Sequence, residues 1–222
     1  HVTLHTPCEP NILLHLSKDE ISEENRRVLK RGYQSAVGML LWASRGVFPQ
    51  SLYTVQQLCK VMSKPTEHAW QVAMHLISWM HYRKDYGVTF RRDGNDVPIC
   101  FSDASNRPDD RDSRRAYGYC IMWKGGAIIS VSRKLDHCSS ATAANEYMAI
   151  SHATKGVVWM RQFMVELQLQ QLVTQPTIVL GDNRTANNWV IDEKVTQGNN
   201  IMWILQCYHY VKEMANENYV KV

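Results

Sequence analysis

Three acidic residues sit where two strands and a helix would bring them to one point. Asp103 ends the run Val97-Pro98-Ile99-Cys100-Phe101-Ser102, and Asp182 follows the similar run Thr177-Ile178-Val179-Leu180-Gly181. Between them, Glu146 lies near the start of a long helical pattern. A carboxylate directly after a buried apolar run is costly unless it binds a metal or accepts several hydrogen bonds. Two strand-end aspartates and a helix glutamate suit a cage for hard divalent cations. Two Mg2+ ions about 4 Å apart in such a cage would suit in-line attack of water on a phosphodiester. Taken singly, each acid has a plainer explanation. Asp103 reads as a turn residue, Glu146 as an acid favoured by a helix dipole, and Asp182 as an N-cap ahead of Arg184. Their joint order, strand then helix then strand, favours the shared site.

The elements that would position these acids follow from hydrophobic spacing. Ile99–Phe101 reads as a short buried strand, and the stretch after Asp103, through Asn106-Arg107-Pro108 to Arg115, as a polar loop. Ala116–Trp123 and Ala127–Ser132 read as strands joined by the hairpin signal Lys124-Gly125-Gly126. Ala141–Leu169 is the longest helical pattern, with Ala149, Ala153, Val157, Met160 and Met164 in one stripe. Thr177–Leu180 is the next strand; Arg184–Val190 and Ile201–Met214 read as helices and Tyr219–Val222 as extended. This order predicts an α/β fold with a mixed sheet and flanking helices, in which a crossover returns the Asp182 strand beside the Asp103 strand.

Upstream, the pattern is helical. Ser22–Arg31 is an acidic-to-basic helix candidate. Tyr33–Ser44 carries Val37, Leu40, Leu41 and Ser44 on one face, and Leu52–Met62 carries Val55, Leu58, Cys59 and Met62. From Glu67 to His81 the expected stripe is Trp70, Met74, Ile77 and Met80. The turn signal Arg92-Asp93-Gly94-Asn95 suggests the domain boundary. The expected division is an irregular segment 1–32, a small helical subdomain 33–95 and an α/β domain 96–222.

Residues 1–95 hold 12 Lys/Arg and 8 Asp/Glu, so 12 − 8 = +4; residues 96–222 hold 13 of each, so 13 − 13 = 0. The small positive excess of the first part suits an anionic partner or an ordinary mixed surface. The six cysteines form no Cys-x-x-Cys pair, which favours buried thiols in a reducing compartment, cytoplasmic or nuclear, over a zinc site. No apolar run is long enough to predict a membrane span. The start, His1-Val2-Thr3-Leu4, has neither an initiator Met nor signal-peptide character, so the chain is expected to begin within a longer polypeptide.

Several motifs also carry a resemblance. Phe101-Ser102-Asp103-Ala104-Ser105, Tyr117-Gly118-Tyr119, Lys124-Gly125-Gly126-Ala127-Ile128-Ile129-Ser130, Asn145-Glu146-Tyr147-Met148-Ala149 and Gly181-Asp182-Asn183 follow in order. Together they resemble the ribonuclease H domain of copia-type retrotransposon polyproteins. Upstream, Tyr33-Gln34-Ser35-Ala36-Val37-Gly38, Met62-Ser63-Lys64-Pro65-Thr66 and Lys84-Asp85-Tyr86-Gly87 look like the thumb or connection region of the reverse transcriptase before that domain. The resemblance implies a ribonuclease H-like fold and cleavage of the RNA strand of RNA/DNA hybrids. It implies Mg2+, with Mn2+ as an alternative, held by Asp103, Glu146 and Asp182. The polymerase palm is absent, so no polymerisation is expected. Ser105, Asn183, Arg184 and Asn187 are candidates for contacting ribose or phosphate, or are ordinary loop and cap polarity. The family's fourth acid, at the start of the last helix, would fall between Met202 and Leu205, where this chain has none; Asp192, Glu193 and Glu213 are the nearest acids. A turn of the family is also replaced here by Arg45-Gly46-Val47-Phe48-Pro49. These departures keep open a different function, a catalytically inactive, repurposed scaffold within a larger protein assembly.

Overall fold

The computed structural model describes residues 4–109, 113–137, 139–191 and 204–222. The chain divides into two compact units, His1–Val88 and Thr89–Val222. The division lies ahead of the expected 95–96 because residues 91–95 are tied to the β-hairpin of the second unit. The Arg91 N–H donates to the Lys124 carbonyl at 2.7 Å, and the Lys124 N–H donates to the Asn95 carbonyl at 3.2 Å.

The first unit is built from α1 (Glu23–Lys30), α2 (Tyr33–Gly46), α3 (Leu52–Lys60) and α4 (Glu67–Tyr82). At the start of α1, the Ser22 hydroxyl accepts from the Asn25 N–H and the Asn25 side chain accepts from the Ser22 N–H, closing two orphan donors. The span 1–32 is therefore not irregular throughout, and Ile12, Leu14 and Val28 are buried in the same core as the later helices. In α4 the buried stripe is Ala69, Val72, Ala73, Leu76, Trp79 and Met80. Trp70 and Met74 are only partly buried and Ile77 is exposed, unlike the expected stripe. This helix is apolar on two sides, and the side with Ala69 and Ala73 lets a neighbouring helix approach closely.

The second unit carries a five-stranded sheet in the order β3-β2-β1-β4-β5. Its strands are β1 (Ile99–Pro108), β2 (Arg115–Trp123), β3 (Gly126–Lys134), β4 (Thr177–Gly181) and β5 (Val220–Lys221). β1, β2 and β3 form an antiparallel meander, while β4 runs parallel to β1 and β5 parallel to β4. Lys124 and Gly125 both adopt positive φ in the hairpin turn, 53° and 83°, which matches the twist of the flanking strands. β1 extends beyond the expected Phe101 to Pro108, replacing part of the expected loop, because Pro108 pairs with Arg115 across an irregular register. The buried Asp109 carboxylate, 2.8 Å from the Lys134 ammonium, fastens that end.

α5 (Thr142–Glu166), α6 (Arg184–Ile191) and α7 (Leu205–Asn216) complete the unit. Ala149, Ala153, Val157, Met160 and Met164 of α5 are all buried, as the stripe predicts, in a core shared with Cys100, Ile121 and Val179 of the sheet. Of the expected helix Ile201–Met214, residues 201–203 lie outside the described residues. No helix among the described residues is long and apolar enough to cross a membrane. Cys8, Cys59, Cys100, Cys120 and Cys207 are free thiols, and Cys138 lies outside the described residues.

Candidate metal centre

Along β1, Cys100, Ser102 and Ala104 are buried while Phe101 and Asp103 are exposed. The alternation of a strand turns Asp103 away from the core side. On the adjacent parallel strand Ser102 pairs with Gly181, so Asp103 and Asp182 each emerge one residue later, side by side. Glu146 reaches them from the second turn of α5. The Ala104 N–H donates to its Oε2 at 3.0 Å, a contact that holds the carboxylate against the middle of β1. Carboxylate oxygens of Asp103, Glu146 and Asp182 lie within 4.8 Å of one another.

The two aspartates are exposed, whereas Glu146 is only 5% exposed. Burial pushes the Glu146 carboxyl up to about 7, and the charges of Asp103 and Asp182 add to that; the Ala104 N–H and the Arg115 guanidinium work the other way. Three clustered carboxylates with one of them buried are self-repelling, and a bound cation removes the conflict. The donor set is all oxygen and all anionic, which fits a hard divalent cation such as Mg2+ or Mn2+.

The candidate nucleic-acid contacts are placed around this cluster with defined local partners. The Asn183 side-chain oxygen accepts from the Ala186 N–H at 3.0 Å, capping α6. The Asn187 amide donates to the Gly181 carbonyl at 2.9 Å, and its oxygen lies 3.1 Å from where a Cβ on Gly181 would be. A side chain at position 181 would therefore press on the clamp that holds the Asp182 turn. Ser105 exchanges hydrogen bonds with the backbone of Arg107. Arg184 is exposed at the start of α6.

Arg115 and the Ala104 N–H had no signal of their own in the sequence. Arg115 lies within a charged loop pattern, and the N–H becomes a ligand-positioning donor only through strand geometry. α7 begins at Leu205, after Ile204, which is 1% exposed. One turn along, the Tyr208 carbonyl accepts from the Tyr147 hydroxyl at 3.3 Å, which sets the start of α7 beside the Glu146 end of α5. Among the described residues no further acid joins the cluster. Asp192, Glu193, Met202 and Trp203 lie outside them.

No family model matches the chain. It is 26% identical over 209 residues, 90% of its length, to the retrovirus-related Pol polyprotein from transposon TNT 1-94 of Nicotiana tabacum, of which it spans 15%. It is 29% identical over 128 residues, 58% of its length, to secreted RxLR effector protein 161 of Plasmopara viticola, covering 90% of that protein. Among solved structures, LC11-RNase H1 in complex with an RNA/DNA hybrid aligns over 56% of this chain and 83% of its own, at 15% identity and a TM-score of 0.41. An N-terminal RNase H domain from Mycobacterium tuberculosis aligns over 56% and 78%, at 11% identity and 0.40. The foamy viral protease-reverse transcriptase aligns over 85% and 39%, at 14% identity and 0.39. The antiparallel meander, the parallel β4 and β5 and the helix between β3 and β4 make the second unit ribonuclease H-like. The chain is thus similar to a retrotransposon Pol polyprotein along nine-tenths of its length, with a ribonuclease H-like α/β fold in its second unit.

Proposed function

We propose that the chain is the connection region and ribonuclease H portion of a copia-type retrotransposon polyprotein, and that it cleaves the RNA strand of RNA/DNA hybrids with divalent metal. The observation that carries this is the convergence within 4.8 Å of Asp103 from the middle of β1, Asp182 just after β4 and Glu146 near the start of α5. These three residues would hold Mg2+, with Mn2+ as an alternative; bound cations of this kind lower the pKa of water and stabilise a leaving oxygen. Glu146, held by the Ala104 N–H, keeps one carboxylate oxygen fixed beneath the two exposed aspartates. Arg184, exposed two residues after Asp182, would contact phosphate. Ser105, Asn183 and Asn187 would meet ribose hydroxyls with what their backbone bonds leave free, and the 2′-hydroxyl would mark the RNA strand. The first unit, residues 1–88, would serve as the thumb or connection part, and the rest of a reverse transcriptase polyprotein is the expected partner. Five free thiols among the described residues fit a reducing compartment, cytoplasm or nucleus.

The test is cleavage of a labelled RNA/DNA hybrid by the purified chain in Mg2+ or Mn2+. Asp103→Asn is expected to lower the rate by two to three powers of ten, about 2.7–4 kcal/mol of barrier. Unchanged cleavage by the folded variant would remove the assignment. A second reading is a repurposed, inactive scaffold in a protein assembly. It is favoured by the lack of an acid between Met202 and Leu205, where the resembling family carries one, and by the similarity to an effector protein. A wild-type chain inert at every metal concentration would establish that reading instead.

A further inference from the structure

A second concave surface lies on the same unit, between α5 and the β2–β3 hairpin. It encloses about 370 Å³, within the range of ligand sites and enough for one nucleotide. Its lining includes Tyr117, Tyr119, His152 and Trp159, with the cations Arg133 and Lys155 and no carboxylate. Gly156 shapes it: a Cβ there would lie 2.7 Å from the Tyr119 ring, so the ring rests directly against the helix backbone. His152 stacks on Tyr117 with centroids 4.3 Å apart and planes 15° from parallel. Burial, then Lys155 and Arg133, hold His152 toward its neutral form against the pull of Asp136, so it offers a flat uncharged face.

The aromatic surface continues outside the groove. Trp159 is 58% exposed and Phe163, one turn further along α5, is 48% exposed; their rings stack at 5.4 Å and 5°. Exposed ring faces at helical spacing beside cations are the arrangement that holds unpaired bases and their phosphates. The cations are a local feature, since residues 96–222 carry 13 − 13 = 0 net charge. Lys155 and Trp159 stand nine and thirteen residues beyond Glu146 on one helix, roughly 14 and 20 Å along its axis. A nucleotide bound here therefore lies away from the carboxylates.

We infer that this groove binds single-stranded nucleic acid, with one base against Trp159 and its phosphate drawn by Arg133 and Lys155. The inference does not depend on cleavage. Fluorescence anisotropy of an end-labelled oligothymidylate, read with the full chain in chelator so that no cutting occurs, tests it. Trp159→Ala is expected to weaken binding about 5- to 150-fold, the range for one lost stacked base. The double variant Arg133→Gln, Lys155→Gln should flatten the slope of log K against log salt by about 0.7, for one phosphate contact on a single strand. Trp159 is mostly outside the core, and circular dichroism checks that both variants keep the fold. Wild-type affinity and salt slope in both folded variants would overturn the inference. Equal competition by free thymidine monophosphate, matched per nucleotide, would also overturn it, making the groove a mononucleotide site.

Discussion

Glu146 shows how one residue can be poor for folding and right for a site. It is buried beside two like charges, and a helix start alone would have been content with an exposed acid. Its single backbone donor, the Ala104 N–H, offsets only part of that conflict. Cys100 is the opposite kind of buried group. It has no role in the cluster, and burial pushes its thiol up to about 12, with Cys120 adding to the rise. A folded-state value above the unfolded one means that its stabilising contribution is complete below the unfolded thiol's pKa, near 8.5, and is lost as pH rises toward 12. At pH 10 the loss is expected to be about 2 kcal/mol. Urea unfolding from pH 7 to 10 measures it, and Cys100→Ala, less stable at pH 7 from lost packing, should show a shallower decline. An identical decline in both proteins would mean that the thiol does not ionise on unfolding in this range.

At the scale of elements, the first turn of α7 carries no acid. α7 starts at Leu205, a half-buried residue, and packs beside the Glu146 end of α5 through Tyr208 and Tyr147. Ile204 is in the core, so an acid there would be buried without a partner. An acid at Leu205 would instead sit at a helix N-terminus, where the dipole favours it by about 0.3–1 kcal/mol. Leu205→Asp is therefore expected to raise hybrid cleavage at low Mg2+ with little change in fold. Ile204→Asp should destabilise the unit. If Leu205→Asp leaves the metal dependence of cleavage untouched, the start of α7 does not serve the metal site. α5 was legible in the sequence because Ala149, Ala153, Val157, Met160 and Met164 recur at helical spacing, and all five are buried. α4 was legible as a helix but not by face, because two of its sides are apolar and only packing chooses between them.

At the scale of the molecule, two separate cores lie in two units, 1–88 and 89–222. A fragment of residues 89–222 is expected to unfold in one cooperative urea transition, since its sheet and α5 share one core. A broad transition for that fragment would show that it depends on the first unit. The sequence by itself determined the α/β class, the helical first part and the three acids, because strand and helix periodicities and carboxylates after apolar runs are local signals. The length of β1 and the edge of the second unit were decided by tertiary contacts. Pro108 joins the strand through Arg115, and residues 91–95 are tied to the hairpin through Lys124. The closeness of Asp103, Glu146 and Asp182 was likewise decided by three dimensions. It depends on the parallel register of Ser102 with Gly181 and on one N–H of Ala104, pairings between residues far apart in the chain. The groove of Tyr119 against Gly156 has the same origin, because the ring and the helix backbone it rests on come from elements far apart in the chain.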